Sequence, residues 1–292
     1  MSGLLDSAWL QRLERMQMTT RRLASGAHAG KRRSKQLGSS LEFADYRAYA
    51  PGDDLRQLDW NAYGRSGKLF VKRFLDEQEL HISIYLDCSR SMGYGHPSKL
   101  HRSKQLAAAL GYLSLCHLDY VSVYAFDQSI RGAMTRLQGK AKAAQLFTFL
   151  ESIEPGGAGD LNAALRSGQA VSGKPGLSII LSDFLYENGY ESGVAFVQAA
   201  KQEVTLVQVL AEEERNPAYQ GELRLLDSET GSAKEIAFSP VMIEEYAKTL
   251  SAYQAQLSAY AFGRGIAYVS VEAEQSPEQI VFGIFRQAGL IR

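Results

Sequence analysis

From residue 80 onward, short apolar runs alternate with stretches of helical periodicity. Runs rich in β-branched, aromatic and leucine residues recur at Ile82–Leu86, Tyr120–Phe126, Leu177–Leu181, Val204–Leu210 and Ile266–Val271, the signature of strands. Between the first two lies Lys99–Leu118, where Leu106, Leu110 and Leu113 recur at helical spacing and predict a buried stripe. Helices are also predicted over Lys142–Ser152 and Leu161–Ala170, before the third strand. Ser192–Gln202 precedes the fourth strand and Met242–Phe262 the fifth. Leu177-Ser178-Ile179-Ile180-Leu181 carries apolar side chains on both faces, as a covered parallel strand must. Right-handed crossovers then place helices on both sides. The pattern predicts an α/β fold, a doubly wound, mostly parallel sheet in a three-layer sandwich, spanning residues 80–292.

Two segments break this rhythm. Residues 36–79 hold the turn Pro51-Gly52-Asp53-Asp54 and a strand at Leu69-Phe70-Val71. Near 219–239, the alternation in Glu222-Leu223-Arg224-Leu225-Leu226 followed by Asp227-Ser228-Glu229-Thr230-Gly231 predicts a β-hairpin insertion. Neither has enough apolar surface to stand alone. The two are expected to pack together as a small β-rich subdomain on the core. The charges of residues 42–59 read as a paired structural network, with a catalytic carboxylate pair as the alternative.

Composition narrows the class. With 292 residues, 45% apolar and 22% charged, the chain can bury one large core. Its two cysteines, Cys88 and Cys116, form no disulfide framework and no zinc spacing. No basic-then-apolar leader stands at the N-terminus, and no apolar run nears the ~18 residues that span a bilayer. The expected location is the cytoplasm. Residues 1–35 carry eight Lys or Arg against Asp6 and Glu14, a net +6 that leaves −6 on the remainder. This basic N-terminal arm is expected to be a detachable docking segment, with Glu212-Glu213-Glu214 as one candidate receiver. Without aromatic interleaving or a nucleic-acid module, no nucleic-acid partner is expected.

Candidate chemistry centres on Asp87-Cys88-Ser89-Arg90-Ser91, which follows the first strand. Ligands bind at such strand ends in open α/β sheets. Asp87, Ser89 and Ser91 are spaced by two, and one carboxylate with two hydroxyls suits a hard cation such as Mg²⁺. The alternative is a serine-capped helix start. Asp183 ends another strand, and if the two strands are neighbours the aspartates converge on one crevice. The loop Pro155-Gly156-Gly157-Ala158-Gly159-Asp160 enters the next helix, where Asp160 can cap that helix or reach a cation. Cys88 is expected to pack away from the oxygens. His96 and His101 read as solvent-facing.

These residues resemble the metal-ion-dependent adhesion site of von Willebrand factor A domains. The resemblance implies Mg²⁺ ligated by Ser89 and Ser91, with Asp87 and Asp183 acting largely through water and an open position for an acidic residue of a partner. The family's threonine ligand is absent, because its place is Gly159. A longer pattern is more specific: Glu42-Phe43, Arg47-x-Tyr49-x-Pro51-Gly52-Asp53-Asp54-x-Arg56-x-x-Asp59-Trp60-Asn61, Leu69–Phe74 with Glu77, Ser182-Asp183-Phe184, Leu226–Gly231 and a terminal helix Ser276–Arg286. It resembles the prokaryotic family catalogued as domain of unknown function fifty-eight, which contains a von Willebrand factor A-like domain, over about residues 35–292. That resemblance implies a non-enzymatic protein–protein interaction module working with a MoxR-type AAA+ ATPase in protein or metallocentre maturation. Two alternatives stand beside it. One is a metal-assisted phosphatase or hydrolase, although the second carboxylate of haloacid-dehalogenase-type phosphatases is replaced by Ser89. The other is a scaffold with a vestigial metal site. No dinucleotide fingerprint, P-loop or Gly-x-Ser-x-Gly elbow is present.

Overall fold

The computed structural model describes residues 3–19, 43–74, 79–167, 173–217, 221–226 and 233–292. The chain divides into two compact units, Thr20–Glu79 and Met1–Thr19 with Leu80–Arg292. In the smaller unit, strands β1 (Phe43–Ala48) and β2 (Phe70–Phe74) pair antiparallel. Between them Asp54 caps the 3₁₀ turn Leu55–Gln57, and Asp59 caps the helix Trp60–Ser66, which ends on Gly67 at φ 64°. Charged residues of this unit are engaged in local pairs and caps. Arg47 pairs with Asp53 at 2.6 Å, and the buried Asp59 accepts Tyr46 Oη–H at 2.6 Å besides two helix N–H groups.

The larger unit is built on a six-stranded sheet. Its strands are β3 (His81–Asp87), β4 (Tyr120–Phe126), β5 (Ile130–Leu137), β6 (Gly176–Ser182), β7 (Gln202–Leu210) and, after a further ribbon, β10 (Ala267–Glu272). The spatial order is β10-β7-β6-β3-β4-β5, parallel throughout except that β5 runs antiparallel to β4. All five predicted strands of the doubly wound sheet are present. The sixth, β5, is an edge strand of half-exposed alternation, and Gly132 and its arginines leave it without a continuous apolar run. The period of two sorts the core into two layers. Ile82, Ile84, Leu86, Ile179 and Leu181 face the layer that holds the helices Lys99–Cys116 and Ala143–Glu151. Tyr85, Ile180 and Leu206 face the other, with Leu161, Leu165, Val194 and Leu257 from the helices Leu161–Arg166, Glu191–Ala199 and Pro240–Gly263.

The hairpin insertion is the ribbon β8 (Gly221–Leu226) and β9 (Ala233–Phe238), while its turn lies outside the described residues. It is a separate two-stranded sheet within the larger unit. The terminal helix opens with a turn at Pro277–Gln279 capped by Ser276, then continues as a π-helix over Ile280–Phe285. Among the described residues no helix is long and apolar enough to cross a membrane.

The expectation of a detachable arm over residues 1–35 is corrected for its first half. Asp6 caps the helix Ser7–Leu13, and Leu4, Leu5, Trp9, Leu13 and Met18 are buried in the main core. Met18 bridges to Ile291, and Glu14 accepts both Tyr112 Oη–H at 2.6 Å and Lys140 Nζ–H at 2.7 Å. Net charge obscured the stripe Leu5, Trp9, Leu13, whose i, i+4, i+8 spacing marks a packed helix face. The basic residues from Arg21 to Lys35 lie outside the described residues. Leu13→Ala is expected to cost about 2–5 kcal/mol in urea denaturation, whereas the half-exposed Arg12→Ala should change stability by less than about 1 kcal/mol.

Candidate functional site at the strand ends

Strands β3 and β6 are neighbours, paired in register from Ile82 with Leu177 to Leu86 with Leu181. Their C-terminal ends therefore bring Asp87, Ser182 and Asp183 side by side, all buried. After β3 the chain turns because Asp87 Oδ1 accepts Ser89 N–H at 2.8 Å, an Asx turn. A short 3₁₀ turn over Arg90–Gly93 follows. Ser89 Oγ and Ser91 Oγ lie 3.2 Å apart, and Ser91 Oγ–H donates to Asp183 Oδ2 at 2.9 Å. The two aspartates and two serines predicted to form one site are thus brought together.

The glycine loop reaches the same place through backbone contacts. Gly156 N–H donates to Cys88 O at 2.8 Å and Arg90 N–H to Gly157 O at 2.9 Å. Gly157 has φ 74°, and a Cβ there would run into the Asp127 carboxylate, so only glycine fits. Asp160, grouped with the metal ligands in the sequence, has a different task. Its Oδ1 accepts Ala163 N–H at 2.8 Å and its Oδ2 accepts Asn188 Nδ2–H at 3.1 Å. It caps the helix Leu161–Arg166, the alternative that the sequence left open. Cys88 turns away from the oxygens, as expected, and donates to Phe126 O at 3.2 Å. Burial, with Asp87 and Asp127 nearby, pushes its thiol up to about 12.

On the β6 side the backbone is strained. Phe184 sits at φ 59°, a costly conformation for a bulky residue. Local bonds over-determine it. Ser182 Oγ accepts Phe184 N–H at 2.8 Å, Asp183 Oδ1 accepts Leu185 N–H at 3.0 Å, and Phe184 O accepts Tyr253 Oη–H.

Three participants escaped the sequence reading. Tyr186 Oη–H donates to Asp87 Oδ2, which also accepts Ser182 Oγ–H at 2.7 Å. Lys99, whose side chain is wholly buried, donates to Asp183 Oδ2 at 2.8 Å and to Glu214 Oε1 at 2.5 Å. Glu214 belongs to the acidic run expected to receive the basic arm. Its carboxylate is engaged within the larger unit by Lys99 and by Ala211 N–H at 2.9 Å. A signal for Lys99 did exist. It follows the cap Ser98 in the first turn of its helix, where the macrodipole disfavours a cation, so a lysine there calls for a carboxylate partner.

Titration behaviour follows from this crowding. Burial, then the adjacent Asp183 charge, raises Asp87 above the ordinary carboxylate range. Burial, Asp87 and Asp183 likewise raise the Tyr186 phenol. Burial alone would lower Lys99, but the charges and hydrogen bonds of Asp183 and Glu214 outweigh it, and its pKa lies above the usual lysine value.

The residues present do not fit the divalent cation implied by the adhesion-site resemblance. A Cβ on Gly159, at the threonine position, would come within 2.9 Å of Tyr186 Cε1 and 3.2 Å of Ser89 Cβ. The tyrosine ring therefore takes the space of the missing ligand. Both Asp87 oxygens are occupied by donors of the fold, and Asp183 is engaged by a buried ammonium. Gly159→Thr, which would restore the ligand by sequence, is expected to cost about 1–3 kcal/mol through overpacking. In a double-mutant cycle followed by urea denaturation, that cost should shrink in a Tyr186→Ala background.

Comparisons with known proteins agree with the family suggested by the sequence. The chain is 24% identical over 271 residues to the uncharacterized protein Rv1480 of Mycobacterium tuberculosis, covering 90% of this chain and 84% of that protein. Among solved structures it is similar to BatB from Bacteroides thetaiotaomicron, at 19% identity and a TM-score of 0.42, covering 72% of this chain and 98% of that one. It is also similar to a von Willebrand factor type A protein from Catenulispora acidiphila, at 10% identity and a TM-score of 0.37, covering 75% and 43% of the two chains. The family described as "Protein of unknown function DUF58" matches residues 45–256, and the chain belongs to that family.

Proposed function

We propose that this chain is a non-enzymatic protein–protein interaction module, and that its recognition surface is the strand-end edge formed by the loop of Ser91 and Tyr94 and the loop that follows the buried Asp183. The observation that carries this reading is the company these residues keep. The loop bearing Ser91 also presents Tyr94, 44% exposed, and the loop bearing Asp183 presents Leu185, 45% exposed. Apolar anchors beside a polar, hydrogen-bonded centre are the make-up of a protein interface. The donors around Asp87 point the same way. Its two oxygens accept Ser89 N–H, Ser182 Oγ–H and Tyr186 Oη–H, so the carboxylate is committed to holding the loops. The metal-assisted hydrolase alternative draws no comparable support.

The partner class we propose is the one implied by the family resemblance, a MoxR-type AAA+ ATPase active in protein or metallocentre maturation. Binding to the purified ATPase from the same organism, measured by calorimetry, tests the reading. Leu185→Asp and Tyr94→Ala should each weaken binding at least about tenfold, the size expected for an interface anchor, with melting temperature unchanged. Unaltered affinity in both variants would sink the proposed surface. A phosphomonoesterase activity abolished by Asp87→Asn would replace the reading with the hydrolase one.

A further inference from the structure

We propose that the Lys99 ammonium is the resident cation of this adhesion-like site, and that the site is built to work without a bound metal. The starting point is the misfit already described. The crevice has two buried carboxylates, Asp87 and Asp183, and charges of one sign held together away from water need an opposite charge or donors. In this protein both needs are met from within the chain. Asp183 takes the ammonium at 2.8 Å. Asp87 takes neutral donors, Ser89 N–H, Ser182 Oγ–H and Tyr186 Oη–H.

The placement of Lys99 is costly unless it serves this purpose. Its side chain has 0% exposure, and it stands in the first turn of the helix Lys99–Cys116, where the helix dipole opposes a cation. Two carboxylates offset both penalties. One of them, Glu214, comes from the short helix Glu212–Arg215 after β7, and Arg215 in turn pairs with Glu272 at the end of β10. A single ammonium thereby ties the loop after β6 to the loop after β7, and the second pair extends the tie to β10. The structural task of a metal, gathering separate loops around one charge, is carried out by a lysine.

Tyr186 completes the substitution. Its ring lies against Gly159, where a threonine would stand, and its hydroxyl meets Asp87. Glycine at 159 and tyrosine at 186 are therefore two halves of one arrangement. A divalent cation entering beside Asp183 would have to displace a buried ammonium or share the carboxylate with it. For the interaction reading, on which this last consequence rests, a partner would be held by hydrogen bonds and apolar anchors without a metal bridge, so a chelator should not weaken its binding.

Titration of the metal-free protein with Mn²⁺, with free ion followed by electron paramagnetic resonance, tests the proposal. Wild type is expected to leave Mn²⁺ free up to about 1 mM, the weak end of oxygen-ligated sites. Lys99→Met should gain affinity at least about tenfold, because Asp183 is released. Saturable uptake of one Mn²⁺ by wild type, abolished in a Ser89→Ala, Ser91→Ala double variant, would overturn the proposal. A folded Lys99→Met protein that takes up no more than wild type would overturn the role of Lys99.

A second readout needs no variant. Acetic anhydride labelling mapped by mass spectrometry should leave Lys99 unmodified to the same extent with and without Mg²⁺. Labelling that rises with Mg²⁺ would show the lysine displaced and count against the proposal. Metal uptake by wild type would defeat the resident lysine while leaving the interaction surface standing. Unaltered partner affinity in Leu185→Asp and Tyr94→Ala would do the reverse.

Discussion

The parallel pairing of β3 with β6, in register from Ile82 opposite Leu177 to Leu86 opposite Leu181, ends both strands at the same level and sets Asp87 beside Asp183. Two carboxylates in a buried crevice repel one another and lose hydration, and the raised pKa of Asp87 reports that cost. Much of the local architecture compensates for it. The Asx turn at Ser89, the Ser182 hydroxyl, the Tyr186 phenol and the Lys99 ammonium each supply a donor to one of these groups. The left-handed Phe184 belongs to the same solution. It folds the chain back sharply enough for Leu185 N–H to reach Asp183 and for Tyr186 to reach Asp87.

A buried ion pair is weak grounds for stability, because desolvation consumes much of the attraction between the partners. The value of the Lys99 contacts is better sought in geometry. The ammonium holds Asp183 and Glu214, which lie after different strands, and so sets the spacing of two loops. Specific recognition requires loops held in one arrangement. The exposed Tyr94 and Leu185 sit on segments tied down by backbone groups: Tyr94 O accepts the Lys99 backbone N–H at 3.0 Å, and Leu185 N–H is held by Asp183.

The smaller unit shows why a specific sequence pattern is not in itself a functional site. Its arginine, aspartate and tryptophan signature is the most distinctive stretch of the chain, yet Asp53, Asp54 and Asp59 are occupied locally. Asp53 accepts Ala50 N–H and Arg47, Asp54 caps a 3₁₀ turn, and Asp59 caps a helix while accepting Tyr46. Caps of this kind contribute about 1 kcal/mol each. In a hairpin with little apolar surface such contributions matter to whether it folds. Glu42 and Glu77 of the same pattern lie outside the described residues.

What the sequence determined by itself was whatever depends on periodicity and on neighbours along the chain. Strands apolar on both faces, alternating with helical stretches, are the mark of covered parallel strands. For that reason the five strands, the main helices and the placing of Asp87, Ser89, Ser91 and Asp183 at strand ends were legible, while the adjacency of β3 and β6 that joins them was set by the folded sheet. Edge strand β5 was not, because an edge strand needs no continuous apolar run, and charge masked the packed helix Ser7–Leu13. The tertiary structure alone decided what fills the crevice. Lys99 reaches Asp183 from 84 residues away, Tyr186 reaches Asp87 from 99, and Glu214 reaches Lys99 from 115, and no local pattern names which residues meet. Gly159 illustrates the difference. In the sequence it is a missing ligand, and in the folded chain it is the space that a tyrosine ring requires.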